Sequence, residues 1–434
     1  MTTLAIRGGR VIDPANSVDA TADVLIADSR IAEVGPNSSK DATASIDASG
    51  LIVCPGFVDI HAHLREPGFE HKETIASGTL AAARGGFTTV CAMPNTEPPI
   101  DSAGMIEFIL RMAQTQGAVR VLPIACITRG RAGKELADLA ELAQVGAVAF
   151  TDDGAPIADP HLMRRALEYA GMLGVPVTDH CEDPMLSAGG VMHEGWVSTR
   201  LGLQGIPASA EETMVARDIA LAEATGSHVH IAHVSTAGSV DSIRLAKSHR
   251  VRVTAEVTPH HLALTHEAII SSGEAPGGLA YDTNAKVNPP LRTPSDVAAC
   301  IEGLRDGTID CIATDHAPHA IQDKLCEFDS AAFGISGLET ALGLALRALS
   351  LEEAIPALTI GPVRALGLDH HVEGLGTLSV GAPGDVVLLD PDAEWTVEPE
   401  VFASKGKNTP LAGSTLRARV MIAIYGGRIA FDGR

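Results

Sequence analysis

The chain has 434 residues, enough for a large α/β barrel plus a smaller domain. Lys and Arg total 32 against 54 Asp and Glu, a net charge of −22, which argues against nucleic acid and anionic membrane as partners. The seven cysteines are scattered without a C-x-x-C pair, the first residues contain no apolar signal region, and no apolar run is long enough to span a membrane, so a reduced, cytoplasmic setting is expected.

Residues 1–54 read as short strands and hairpins; 23–35, for instance, is two β-rich runs broken by a polar turn. Similar runs return at 385–390 and 419–429. Isolated hairpins are marginal, so the two ends are expected to pair into one small β-sandwich domain, 1–54 with 369–434, around a catalytic unit at 55–368. Within that unit eight short apolar runs, at 56–61, 88–93, 119–126, 147–151, 175–180, 228–234, 251–257 and 310–314, alternate with helical patterns. The first helix, 73–84, is stopped by Gly85-Gly86. Eight such units make a (β/α)8 TIM barrel the economical α/β reading, with a doubly wound sheet as the alternative.

The first run ends in His61-Ala62-His63. Side chains at i and i+2 of a strand share a face, so the two imidazoles form a two-nitrogen claw of the kind that binds zinc and its neighbours. Further metal-binding types follow other runs: Asp152 and Asp153 after the fourth, His180 after the fifth, His233 at the end of the sixth and Asp315 after the eighth. Barrel sites are built at the C-terminal ends of the strands, so one assumption brings all of them together. Four histidines and a carboxylate can hold one or two divalent ions, which make bound water acidic enough to supply hydroxide at neutral pH. A neighbouring Asp315 could take the proton of the attacking water and return it to a leaving nitrogen, which is amide hydrolysis. His260-His261 was weighed as another pair, but neighbours in a strand face opposite ways, so both are read as structural or supporting. His71, His161, His193, His370 and His371 fit no pattern and are expected at the surface.

The chain resembles the amidohydrolase superfamily, and within it the bacterial class I dihydroorotases, over almost its whole length. The stretches that carry the resemblance include Asp59-Ile60-His61-Ala62-His63-Leu64-Arg65-Glu66-Pro67-Gly68, Met93-Pro94-Asn95-Thr96, Phe150-Thr151-Asp152-Asp153-Gly154, His230-Ile231-Ala232-His233, Lys286-Val287-Asn288-Pro289-Pro290-Leu291-Arg292, Ala313-Thr314-Asp315-His316-Ala317-Pro318-His319 and Phe333-Gly334-Ile335-Ser336-Gly337. It implies a zinc (Zn²⁺) hydrolase with one or two ions per subunit that interconverts dihydroorotate and N-carbamoyl-L-aspartate in pyrimidine (UMP) biosynthesis. Position by position it implies that His61 and His63 bind the more buried zinc, His180 and His233 the second, and Asp153 both. Asp315 then binds the first zinc and acts as catalytic base and acid, with metal-bound hydroxide as nucleophile. Substrate contacts fall on His63, Leu64, Arg65, Asn95 and His319 near the carboxylate, and on Asn288, Phe333 and Gly334 near the ring amides. An Arg suits a carboxylate independently, since its fork binds both oxygens. Without the resemblance, Arg65 is equally a surface ion-pairing residue, Asn95 a turn former and His319 a solvated loop residue.

Related hydrolases of hydantoins, dihydropyrimidines and allantoin commonly bridge their metals with a carboxylated lysine, whereas here Thr151-Asp152-Asp153 contains none. A non-catalytic scaffold partner of aspartate transcarbamoylase would lose metal ligands, and this chain keeps them all. The resemblance leaves open a homodimer and a complex of the live enzyme with aspartate transcarbamoylase. Candidate segments to close over substrate are 290–294 and 320–332.

Overall fold

The computed structural model describes residues 3–36, 42–270 and 281–434. Its centre is a ring of parallel strands whose residues are buried on both faces. Phe57–Ala62, Phe87–Ala92 and Arg120–Pro123 pair side by side. Val177–Asp179, Val229–Ile231, Val253–Val257 and Cys311–Ile312 form a second parallel group. Phe150 bridges the groups through Ala125 and Val177, and Ala62 bridges His316 to close the ring. That closure makes the sheet a barrel and excludes the doubly wound alternative, which has open edges.

The fourth run departs from expectation. It forms no continuous strand, and Phe150 is its one bridge position. Its backbone is nonetheless paired on both sides: Val148 and Phe150 N–H donate to the Pro123 and Pro176 carbonyls, and Ala125 and Thr178 N–H donate to the Ala149 and Phe150 carbonyls.

The first barrel helix is Ile75–Arg84, where 73–84 was expected, because Thr74 caps it, its hydroxyl accepting from Ser77 N–H. The helix ends against Gly85-Gly86, and Gly86 takes a φ of +88° that a side chain would resist.

Both chain ends enter one eight-stranded sheet, in the order Arg428–Asp432, Thr415–Tyr425, Val386–Thr396, Ile52–Pro55, Thr3–Asp13, Val18–Ala27 and Arg30–Gly35, with Ala44–Asp47 beside Thr3–Asp13. Ile52–Pro55 thus joins N-terminal to C-terminal strands before handing the chain directly to the barrel. Residues from both limbs, among them Ile6, Val24, Ile26, Val386, Leu388 and Ile422, share one apolar core, so the sheet packs across itself.

Two expectations about histidines are corrected. His260 and His261 lie in a short helix, Pro259–Ala263, so strand alternation does not apply and both are buried. His193 is also buried, its Nδ1 within 3.2 Å of an Arg292 nitrogen, because the chain after 190 packs into the core under Trp196–Leu201 rather than over the surface.

Candidate active site

The strand that ends at Ala62 aims His61 and His63 at a common point. Their Nε2 atoms lie 3.6 and 3.1 Å from the same Asp315 oxygen and each 3.5 Å from an Asp153 oxygen. From the far side of the barrel, His180 Nδ1 and His233 Nε2 come within 2.8 Å of each other and 3.8 and 3.6 Å of Asp153 Oδ1. All six residues are buried.

Three of the four remaining ring nitrogens are tied back, and the fourth, His233 Nδ1, is buried without a partner. His61 Nδ1–H donates to Glu256 Oε1 at 2.6 Å, His63 Nδ1–H to Asn95 Oδ1 at 2.8 Å, and His180 Nε2–H to Glu182 Oε2 at 3.4 Å. Each bond orients its ring so that the other nitrogen faces the centre. His61 Nε2 and Asp153 Oδ1 have no hydrogen-bond partner although buried. Orphaned acceptors of this kind are costly unless something positive sits between them.

Electrostatics point the same way. Burial works against ionising Asp153, but the His61 charge and the close approach of the His233 and His61 rings hold it well below the usual carboxylate range. Burial likewise opposes Asp315, and the His63 hydrogen bond with the His61 charge brings it down to about 2. His61 is raised well above its usual value, against its burial, by Asp153 and Glu256. The cluster therefore favours a positive charge at its centre, and a divalent cation on lone pairs from His61, His63, His180 and His233 with oxygens from Asp153 and Asp315 fits these donors. Arg65, His233 and Asp315 have φ of 62°, 32° and 45°, left-handed values that cost side-chain-bearing residues energy and here aim functional groups inward.

Beside the cluster lies a cleft of about 230 Å³ lined by His63, Arg65, Asn95, Asp153, Gly154, His180, His233, Asn288, Asp315, Ala317, His319, Phe333 and Gly334. Arg65 donates to the Pro318 carbonyl at 3.3 Å and has no carboxylate partner among the described residues. His319 Nε2–H donates to the Phe333 carbonyl at 2.8 Å, and burial together with the Arg65, Lys324 and Lys72 charges lowers His319 to about 3, so it is neutral at pH 7. Asn288 Nδ2–H donates to Glu182 at 2.6 Å, which leaves its buried, unpartnered Oδ1 as an acceptor. The Gly334 backbone is already engaged: its N–H donates to the Lys286 carbonyl at 2.9 Å and its carbonyl accepts from Asn408 at 3.0 Å. Leu64 is buried under the first barrel helix and does not line the cleft.

Three residues of this arrangement were not foreseen. Glu256 holds His61, Glu182 joins His180 to Asn288, and Asn408 holds the His319 and Gly334 backbones. A lone acid in the apolar run 251–257 was a usable signal for Glu256; Asn408 lies in an unpatterned segment and had none. A further cluster, Asp179, Cys181 and Asp218, is already balanced by Arg217, whose guanidinium reaches both carboxylates at 3.4 and 2.6 Å.

Residues 50–239 match the Dihydro-orotase-like family model. The chain is 54% identical over 437 residues to the dihydroorotase of Pelotomaculum thermopropionicum, covering 99% of each, and 53% identical to that of Anaeromyxobacter sp. strain K, covering 99% of this chain and 98% of the relative. In fold it resembles an L-hydantoinase (dihydropyrimidinase) from Arthrobacter aurescens, with a TM-score of 0.87 at 23% identity over 100% of this chain and 97% of the other. A dihydropyrimidinase from Brevibacillus agri NCHU1002 matches with a TM-score of 0.82 at 22% identity over 100% and 95%. With about half of its residues shared over its full length and a closed barrel bearing this cluster at its mouth, the chain belongs to the dihydroorotase family.

Proposed function

We infer that the chain hydrolyses the cyclic amide of dihydroorotate reversibly to N-carbamoyl-L-aspartate, as a step of pyrimidine biosynthesis, with zinc held by His61, His63, Asp153, His180, His233 and Asp315. The observation that carries this reading is one cleft joining the orphaned His61 and Asp153 atoms to an Arg65 that has no carboxylate of its own. The chemistry a bound divalent ion supplies there is Lewis acidity, which polarises a carbonyl and lets water attack at neutral pH.

The chain's own residues do the rest. Arg65 takes the substrate carboxylate through its planar fork. Asn95, whose Oδ1 is committed to His63, offers its Nδ2–H to the same group. Asn288 Oδ1 accepts a ring N–H, and the wall at Phe333 and Gly334 confines the ring. Leu64 and His319 support this end of the cleft, His319 as a neutral group beside Arg65. Asp315, ionised at rest, accepts the proton of the attacking water and delivers it to the ring nitrogen that leaves. No helix of the described residues is long and apolar enough to cross a membrane, and all seven cysteines are free, which supports a cytoplasmic enzyme.

The test is turnover of L-dihydroorotate by the zinc-supplemented protein, with hydantoin and allantoin in parallel and metal content measured on the same sample. Turnover confined to dihydroorotate with zinc bound is expected. Bound zinc with hydantoin or allantoin as the better substrate would replace this reading by another cyclic amidase.

A further inference from the structure

At the N-terminal ends of the barrel strands, opposite the catalytic cleft, the structure has a second cavity of about 780 Å³. Its lining combines apolar side chains, Leu173, Pro176 and Leu366 among them, with Arg252, Arg364, His228 and the His370-His371 pair. Among the described residues no carboxylate lines it, in a chain with a net charge of −22. Arg252 reaches only the Gly226 carbonyl, at 3.4 Å, and Arg364 has no carboxylate partner among the described residues. Burial and the nearby His230, Arg252 and Lys247 charges lower His228 to about 4, and the one acid felt by His371, Asp369, stands outside the lining. Two unpaired guanidiniums beside apolar side chains suit an anion that also carries a flat ring.

The cavity is joined to the catalytic centre by hydrogen bonds through the barrel interior. His228 Nε2 lies 2.8 Å from Thr254 Oγ1, which lies 2.9 Å from His230 Nδ1. His230 Nε2 lies 3.2 Å from Glu256 Oε2, and Glu256 Oε1 lies 2.6 Å from His61 Nδ1. Every step is a direct contact between side chains whose polar atoms have few other partners, so a change at His228 alters the bonds available to the rest.

We propose that this cavity binds an organic phosphate, with its ring on the apolar side chains and its phosphates on Arg252 and Arg364, and that the chain from His228 to His61 carries occupancy to the catalytic centre. The binding half stands on the cavity alone, and the coupling half rests on the reading of His61 as a metal ligand.

Titration calorimetry of the zinc-loaded protein with ATP, UTP and tripolyphosphate tests the binding half without reference to activity. Saturable binding of a nucleoside triphosphate, tighter than that of tripolyphosphate, is expected, and it weakens by about tenfold for each arginine removed in Arg252→Ser and Arg364→Ser. Absence of saturable binding, or equal affinity in the double variant, overturns the site; equal binding of tripolyphosphate overturns the ring contact. For the coupling, kcat/KM for dihydroorotate is measured with and without saturating nucleotide. It shifts in the native protein, and Thr254→Val, which interrupts the chain but keeps both arginines, binds without that shift. Binding with unchanged kcat/KM in the native protein overturns the coupling. Phosphates also chelate zinc, but that loss falls equally on the double variant, which serves as the control.

Discussion

In the proposed reaction Asp315 does two things at once, holding a cation and moving a proton, and its surroundings suit both. The His63 hydrogen bond keeps it ionised, so it can accept a proton only when the attacking water becomes strongly acidic. Replacing it with Asn keeps the shape and an oxygen toward the centre but removes the basic site. Asp315→Asn should lower turnover by ~10² or more while zinc stays bound, checked by kinetics and metal analysis on one sample. Near-normal turnover would sink the proton role. Arg65→Met tests the carboxylate clamp. It should cost about 1.5–3 kcal/mol in kcat/KM for dihydroorotate, the usual worth of a hydrogen bond to a charged group, with little change in bound metal. An unchanged specificity constant rules the clamp out. That both residues line one cleft was legible for Asp315 from its place after an apolar run and for Arg65 only through the family resemblance. Glu182 and Asn408 were not, since what they do depends on partners 106 and 89 residues away in the chain, at Asn288 and His319.

At the scale of elements, the period-two and near-continuous apolar runs were enough to read seven of the eight barrel positions as strands, because burial on both faces leaves a plain sequence signature. The fourth was over-read in length: 147–151 hydrogen-bonds to both neighbours but narrows to a single bridge at Phe150. The junction of the first barrel helix with the chain's C-terminal segment was not legible either. There Glu339 accepts from Ser404 N–H at 3.2 Å and pairs with Arg84 at 3.1 Å, yet its pKa is raised to about 7. Burial is the main cause, and the half-exposed Arg84 is too well solvated to offset it. An acid whose pKa is higher in the folded than in the unfolded state holds its proton more tightly when folded. Its contribution to stability is therefore present at low pH and is lost as pH rises from about 4.5 through about 7. Glu339→Gln is neutral throughout and removes that dependence. Thermal unfolding of both proteins at pH 5 and pH 8 should show the variant gaining on the native chain by about 2–3 kcal/mol at the higher pH. A stability difference that does not move with pH would mean that Glu339 is ionised in the fold at both.

The whole molecule sets a strongly acidic exterior against a catalytic centre that calls for positive charge, and the two chain ends decide how rigid that centre is. We propose the division into a terminal unit, 1–54 with 369–434, and a barrel, 55–368, but the terminal unit reaches across that line. Asn408 places its Oδ1 on the His319 N–H at 2.9 Å and its Nδ2 on the Ala317 and Gly334 carbonyls at 3.0 Å each. All of these groups are buried, and no other described side chain holds His319 and Gly334 together. Removing the amide in Asn408→Ala leaves two donors, the His319 N–H and the Ser336 hydroxyl, and two acceptors without partners, which should cost about 3 kcal/mol of stability. The kinetic effect follows from what the two loops touch. His319 and Gly334 line the substrate end of the cleft, whereas five of the six residues proposed to hold the metal lie outside the two loops that Asn408 holds, and the sixth, Asp315, has its own contact with His63 at 3.1 Å. KM for dihydroorotate should therefore rise several-fold while zinc content and the pH dependence of kcat stay as they were. If zinc is lost along with stability, the C-terminal segment supports the barrel as a whole; if KM holds while stability falls, the loops keep their shape without it and the clamp does not shape the site.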